Sequence, residues 1–293
     1  VVLRAATRAS ALARWQTDHV AALLRAVDAE VEVEVVAVDT LGDRRPHTPI
    51  SAMGGKGVFA KEVQAAVLDG RADVAVHSAK DLPSVTVPGL VLAAVPERGD
   101  PRDALVGSTL AGLLDGAVVA TGSNRRRVQL ARLRPDLAFA ELRGNMHTRL
   151  EKAAGFDAIV VAAVALERLG LADRLTEVLD AEVIVPQVGQ GALAVECRSD
   201  DDRTRELLVR IEHATSRRCV DAERAFLAEL GGDCELPAGA HAVVDRDGGL
   251  VLDAVLASPD GAVVLRHRAG GHDPVRLGTE VARRLRADLT APP

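Results

Sequence analysis

The sequence predicts an α/β protein: two α/β lobes joined by hinges, followed by a small α+β C-terminal domain. Three observations carry this. Short apolar runs such as Val74–Val76, Val118–Ala120 and Ala158–Val161 alternate with amphipathic stretches, the rhythm of a mainly parallel sheet. Around Pro96–Pro101 the composition turns polar and rich in turn residues, as at a hinge between domains. From Val243 onward the pattern changes to strands separated by the turn signals Asp247-Gly248-Gly249 and Pro259-Asp260-Gly261.

The elements follow in order. Val2–Thr7 reads as a strand, and Ser10 as the N-cap of a helix over Ala11–Val27. Leu12, Trp15, His19, Leu23 and Val27 share a face of that helix, so Trp15 and His19 are expected at the edge of the core. Val31–Val38 reads as a second strand. Arg44–Gly57 holds two prolines and three glycines without a period, and is expected to be a loop of the kind that covers active sites. Ala60–Leu68 is expected to be a helix stopped by Gly70. The Val74–Val76 strand runs into His77-Ser78-Ala79-Lys80-Asp81. Thr121-Gly122-Ser123-Asn124 opens a helix after the Val118–Ala120 strand, and Ala138–Leu142 is a strand ending at Arg143-Gly144-Asn145. Gly189-Gln190-Gly191-Ala192-Leu193-Ala194 has the spacing of a dinucleotide fingerprint, but a strand over Leu193–Cys197 is expected where that fingerprint needs a helix. A final helix is expected from Pro274 to about Leu289.

Composition excludes several functions. At 293 residues, 48% hydrophobic and 27% charged, the chain is an ordinary globular sequence long enough for two or three domains. No apolar stretch reaches the roughly 18 residues of a membrane helix, and no signal layout is read, so a cytoplasmic protein without a membrane partner is expected. Cys197, Cys219 and Cys234 have no paired spacing, so neither a disulfide framework nor a metal site is expected. A net charge of −6, with no Tyr, one Trp and four Phe, argues against a nucleic-acid partner.

The candidate site rests on a recurring layout. Arg8, Lys80, Arg125 and Arg143 each lie just past the carboxyl end of a predicted strand, where ligands of open α/β sheets sit. Between Thr121 and Arg149 seven arginines face only Asp136 and Glu141. A solvated surface explains any one of these cations. The set points to a cleft for several carboxylates or phosphates, which arginine pairs in a bidentate manner. Four of the 36 basic residues are lysines, and Lys56, Lys61 and Lys80 are three of them. Cys234 sits in a Gly-flanked loop, more accessible than the other two thiols.

These residues resemble the hydroxymethylbilane synthase family, also called porphobilinogen deaminase, over almost the whole chain. The resemblance rests on Ala6-Thr7-Arg8-Ala9-Ser10, Gly54-Gly55-Lys56-Gly57, Val76-His77-Ser78-Ala79-Lys80-Asp81, Asp100-Pro101-Arg102-Asp103-Ala104, Leu142-Arg143-Gly144-Asn145, Gly189-Gln190-Gly191-Ala192 and the Cys234 loop. It implies two lobes like those of periplasmic binding proteins and a third domain. The divisions expected are 1–96 with 192–212, then 97–191, then 213–293. It implies a transferase that joins four porphobilinogen molecules head to tail into linear hydroxymethylbilane, for tetrapyrrole and heme synthesis. It also implies one dipyrromethane cofactor per chain, thioether-linked to Cys234, and a monomer whose partners are porphobilinogen and the growing pyrrole chain. By the same resemblance Asp81 is catalytic. Lys80, Ser123, Arg125, Arg126, Arg143 and Gln190 bind cofactor; Arg8, Ser10, Arg149 and Arg168 bind substrate; Lys56, Phe59 and Lys61 belong to a lid. Asp233 stands where the family usually has Gly, Asn124 replaces an aliphatic residue, and Ala79 a Met or Leu.

The chemistry agrees with the residues. Each pyrrole brings an acetate and a propionate, hence the arginines. Departure of ammonia leaves a cationic centre that a fixed carboxylate stabilises. The competing reading is a two-lobed binding protein for a polyanionic small molecule, without catalysis. A nucleotide-dependent enzyme is disfavoured, since the spacing of a P-loop is absent.

Overall fold

The computed structural model describes residues 1–41, 57–231 and 236–290. It divides into two units, Val1–Gly99 with Ala192–Arg218, and Asp100–Gly191 with Cys219–Pro293.

The chain opens with strand β1 (Val2–Arg8), helix α1 (Ala11–Val27), strand β2 (Glu32–Val38), helix α2 (Lys61–Leu68), strand β3 (Val74–Ser78) and strand β4 (Leu90–Ala94). Ser10 caps α1, its Oγ accepting from Ala13 N at 3.3 Å. Val20, Ala21 and Leu24 bury one face of α1, while Trp15 and His19 stack at its half-buried edge, ring centroids 5.0 Å apart. Ala13, Val20 and Leu24 recur at helical spacing, the reason this stretch folds as an amphipathic helix.

Next come β5 (Asp103–Val106), β6 (Val118–Ala120), α3 (Asn124–Leu133), β7 (Ala138–Ala140), α4 (Met146–Lys152), β8 (Ala158–Ala162), α5 (Ala163–Arg168) and β9 (Glu177–Leu179). β10 (Leu193–Arg198) and α6 (Asp202–Val209) return to the first unit. The strand expected after the Gly-Gln-Gly stretch is therefore present, and the dinucleotide reading is excluded. Last come α7 (Ala214–Glu229), β11 (Ala238–Val244), β12 (Leu250–Ala257), β13 (Val264–Gly271) and α8 (Pro274–Thr290).

The two larger sheets share one plan. The first has the order β2-β1-β3-β10-β4 and the second β7-β6-β8-β5-β9. In each, three neighbouring strands run parallel and the fourth, β10 or β5, runs antiparallel to both its neighbours. The central strand β8 is apolar throughout, and β3 is apolar from Val74 to Val76 before it reaches His77 and Ser78, because both faces of these strands are covered. Leu3, Val20, Leu24, Val74, Val76, Leu193, Val195 and Leu208 form the core on one face of the first sheet.

The third sheet, β11-β12-β13, is antiparallel, and β13 alternates half-buried and exposed residues as a sheet with one wet face does. Leu277, Val281 and Leu285 of α8 and Phe226 of α7 pack on its covered side. At Gly278 any side chain would strike the backbone of Ala222 and Phe226, so glycine sets how closely α7 and α8 approach. Strands β4, β5 and β9 were not expected from the sequence; each is only three to five residues long and takes its pairing from distant segments.

Candidate functional site

In the first unit, the register that sets Ala6 beside Ala75 brings Arg8 and the turn after β3 to the same end of the sheet. Arg8 closes β1, and its guanidinium carbon lies 4.2 Å from the centroid of the Phe59 ring. Lys80 and Asp81 occupy a single 3-10 turn, Ala79–Asp81, and both are half-buried. That turn is pinned from two sides. Ala79 N donates to Ala192 O at 3.0 Å, and Gln16 Nε2 donates to Ser78 Oγ at 2.8 Å. Ser10 accepts the helix-capping bond already described, and Lys61 is exposed at the start of α2. Lys56 lies outside the described residues, as does the expected loop Arg44–Gly57 apart from Gly57.

Beneath this end of the sheet is a buried polar cluster. His77 Nε2 lies 3.2 Å from Glu196 Oε2, and Gln64 Nε2 donates to the same oxygen at 2.8 Å. It ties β3, the strand that leads to Lys80 and Asp81, to β10 and α2.

In the second unit, β6 and β7 run parallel with Ala120 beside Ala140, so Ser123 and Arg143 emerge at one end of the sheet. A side chain on Gly122 would meet Arg143 and the Leu142 carbonyl, which shows how closely the two turns pass. Ser123 caps α3, its Oγ accepting from Arg126 N at 3.4 Å. Arg143 Nε pairs with Glu141 Oε2 at 3.2 Å. Arg149 Nε donates to Gly144 O at 2.9 Å. Arg168 Nη2 donates to Gly191 O at 2.6 Å, and burial lowers its guanidinium to about 10.

The first turn of α3 turns inward. Arg125 is 3% exposed and Arg126 6%, and between them lies Asp103, with no exposed surface. Asp103 Oδ1 accepts from Arg126 Nε at 3.0 Å, Arg126 Nη2 at 2.8 Å and Gln190 Nε2 at 2.8 Å. Asp103 Oδ2 lies 2.7 Å from Arg125 Nη1. Burial alone would raise the Asp103 carboxyl; the charges of Arg125 and Arg126, with hydrogen bonds from Arg125 and Gln190, outweigh it and hold the group far below the usual carboxylate range. Burial pulls the Arg125 guanidinium down, the neighbouring Arg126 adds to this, and Asp103 opposes it. All three guanidinium nitrogens of Arg126 are engaged, Nη1 by Val160 O at 2.9 Å. Arg125 differs. Its Nη1 donates to Val185 O at 2.7 Å, but Nε and Nη2 have no hydrogen-bond partner among the described residues.

Arg125 lines a tight pocket of about 10 Å³ with Ser123, Gln187, Val188, Leu227, Leu236 and Ala238. Leu227 and Leu236 come from the segments on either side of residues 232–235. Cys234 itself, with Asp233, lies outside the described residues. A buried cation with two nitrogens unengaged by described residues, in a pocket with apolar walls at Val188, Leu227, Leu236 and Ala238, is a candidate partner for an anionic group. Cys197 and Cys219 are both buried, and burial pushes the Cys197 thiol up to about 11, so neither suits nucleophilic attachment. Among the described residues no cluster of His, Cys, Asp and Glu could hold a metal ion, and no helix is long and apolar enough to cross a membrane.

Sequence reasoning missed Asp103, Gln187 and the Gln64–His77–Glu196 cluster as parts of this architecture. Asp103 falls in Asp100–Ala104, a stretch that carried the resemblance, but nothing in its local pattern links it to Arg125, Arg126 or Gln190.

Residues 3–206 match the family model "Porphobilinogen deaminase, dipyromethane cofactor binding domain", and residues 217–287 match the C-terminal domain of porphobilinogen deaminase. The porphobilinogen deaminase of Acidithiobacillus ferrooxidans is 46% identical over 99% of this chain and 96% of its own length. That of Brevibacillus brevis is 43% identical over 96% of this chain and 93% of its own. Among solved structures, a methionine-binding protein aligns with 72% of this chain and 89% of its own at 13% identity and a TM-score of 0.44. With two family models covering most of its length and relatives above 40% identity along nearly all of it, the chain belongs to the porphobilinogen deaminase family.

Proposed function

We propose that the chain is a transferase that joins four porphobilinogen molecules head to tail, with loss of ammonia at each step, to give linear hydroxymethylbilane. The observation that carries this beyond family membership is Arg125, buried in a pocket lined by Leu227 and Leu236, which flank Cys234 in the sequence, with two N–H-bearing nitrogens unengaged by described residues. A buried cation left in that state is built for an anionic ligand.

The roles follow from this reading. Cys234 holds one dipyrromethane per chain through a thioether. Bound there, the dipyrromethane supplies a nucleophilic pyrrole carbon on which the polymer is started. Arg125, with Ser123, Arg143 and Lys80, meets its carboxylates, while Arg126 and Gln190, whose side-chain amide is spent on Pro101 O and Asp103, act from within the Asp103 cluster and not by direct contact. Arg8, Ser10, Arg149 and Arg168 serve the incoming substrate and the lengthening chain. Phe59 and Lys61, with Lys56, act at the lid; the stacking of Phe59 on Arg8 supports a link between lid and substrate site.

In each cycle the C–N bond of one porphobilinogen breaks, its electron pair leaving with ammonia, and the freed methylene carbon joins the terminal ring, which then gives up its displaced proton. Positive charge develops on the substrate as ammonia leaves. Asp81, fixed in the turn that Ala192 and Gln16 pin, supplies the carboxylate that stabilises it. The division 1–96 with 192–212, 97–191 and 213–293, a monomeric state and a cytoplasmic location complete the reading.

The test is a steady-state assay with porphobilinogen alone. The wild-type chain is expected to release one ammonia per porphobilinogen consumed. Binding without consumption would support the non-catalytic receptor instead, and consumption without ammonia would overturn the deaminating reaction.

A further inference from the structure

Asp103 is wholly buried and faces both arginines at the start of α3. It neutralises one of the two guanidinium charges, so the cluster retains one positive charge for an incoming anion. It also grips the two arginines differently. Arg126 is held through all three nitrogens, whereas Arg125 is held only at Nη1, by Asp103 Oδ2 and Val185 O. The nitrogens left over on Arg125, Nε and Nη2, form one edge of the guanidinium plane, the edge that receives a carboxylate side-on through two parallel bonds.

A second contact fixes the stem of Arg125. A Cβ added at Gly239, in β11, would lie 2.8 Å from Arg125 Cδ and 2.6 Å from Pro186 O. The strand that follows the Cys234 segment therefore lies against this stem only as glycine. The same Cβ would lie 2.9 Å from Val185 O, which accepts from Arg125 Nη1, so Gly239 bears on both stem and head and helps keep this long side chain in one orientation before its ligand arrives.

We propose that Asp103 is a positioning residue for the pyrrole carboxylates of this pocket: acting through Arg125, it turns the guanidinium so that the Nε–Nη2 edge meets one ligand carboxylate. This deepens the proposed function and rests on it.

Cofactor-free chain, produced in a host that makes no porphobilinogen, is mixed with porphobilinogen, and its gain in intact mass is followed with time. Wild type is compared with Asp103→Asn, Arg125→Gln and the double variant, with melting temperature measured in parallel. Asp103→Asn is expected to load about 10- to 100-fold more slowly, the range for a misplaced charged hydrogen bond, with the half-saturating porphobilinogen concentration raised. The double variant is expected to load no more slowly than Arg125→Gln alone, because one residue acts through the other. A purely structural role would lower the melting temperature and leave the half-saturating concentration in place. Gly239→Ala keeps every charge but displaces the stem, and is expected to show the same loading defect; it decides the matter if Asp103→Asn does not fold. Wild-type loading by Asp103→Asn, or by Gly239→Ala where the first variant is unfolded, overturns the proposal, as do effects of Asp103→Asn and Arg125→Gln that multiply. A wild-type chain that gains no mass overturns the proposed function and this proposal together. A wild-type chain that loads beside an unaffected Asp103→Asn overturns this proposal alone.

Discussion

The two larger sheets each place a buried carboxylate on the corresponding strand and surround it differently. Glu196 lies on β10 and Asp103 on β5, each the antiparallel fourth strand of its sheet. Glu196 meets a glutamine and a histidine, Gln64 and His77. Asp103 meets two arginines and a glutamine. A histidine can shed its charge inside a protein, whereas an arginine does not. The first cluster ties the strand before Asp81 to its neighbours. The second keeps a permanent excess of positive charge. One sheet plan thus carries a carboxylate that ties strands together in one unit and a carboxylate set among arginines in the other, and the second is the cluster proposed to receive an anion.

The largest effect expected is on Asp81. Asp81→Asn should keep the fold, judged by melting temperature, and lose turnover by about 100- to 1,000-fold, the scale for removing one preorganised group that stabilises developing charge. Near-normal porphobilinogen consumption would remove Asp81 from the chemistry. The next contrast is between the two carboxylates. Asp103→Leu leaves two guanidinium groups buried without their counter-ion and should destabilise by about 3–5 kcal/mol. Glu196→Leu removes the acceptor of Gln64 and leaves no buried arginine without a counter-ion, and should cost about 1–3 kcal/mol. Urea midpoints for both variants measure this directly, and equal losses would erase the distinction.

Acid sharpens the same comparison. The folded state holds the Asp103 carboxyl far below the value of about 3.9 expected in the unfolded chain. Its stabilising contribution is therefore fully present above that value and is lost as pH falls through it towards the lowered folded value. Asp103→Asn should flatten the loss of stability between about pH 4 and pH 2, seen as a shallower fall in melting temperature. The smallest effect expected is at the lid: Phe59→Leu removes the ring beside Arg8 and should weaken substrate binding by about 0.5–1 kcal/mol, measured as a modest rise in KM at unchanged kcat.

Local signals in the sequence placed much of this. Strands β1, β3, β6 and β8 were legible because apolar runs between turn residues need no distant partner to be recognised. The sites of Arg8, Lys80, Asp81, Arg125 and Arg143 were legible because ligands of parallel sheets sit at strand carboxyl ends. The distinction between Arg125 and Arg126 was not. Both sit in one run of three arginines, and what separates them is a carboxylate more than twenty residues earlier and a glutamine more than sixty later. The His77–Glu196 pair was hidden in the same way, since its partners lie on strands joined only by the return of β10. Sequence periodicity reports which face is buried; it does not report which buried charges meet.

The central claim is that Cys234 carries a pyrrole cofactor whose carboxylates the Arg125 pocket receives. The most direct measurement is the intact mass of the denatured protein after exposure to porphobilinogen, followed by mapping of the added mass to a peptide. The account predicts an excess equal to two porphobilinogens less two ammonias, confined to the Cys234 peptide and absent in Cys234→Ser. A bare-chain mass, or the same excess on the Cys197 or Cys219 peptide, would contradict it.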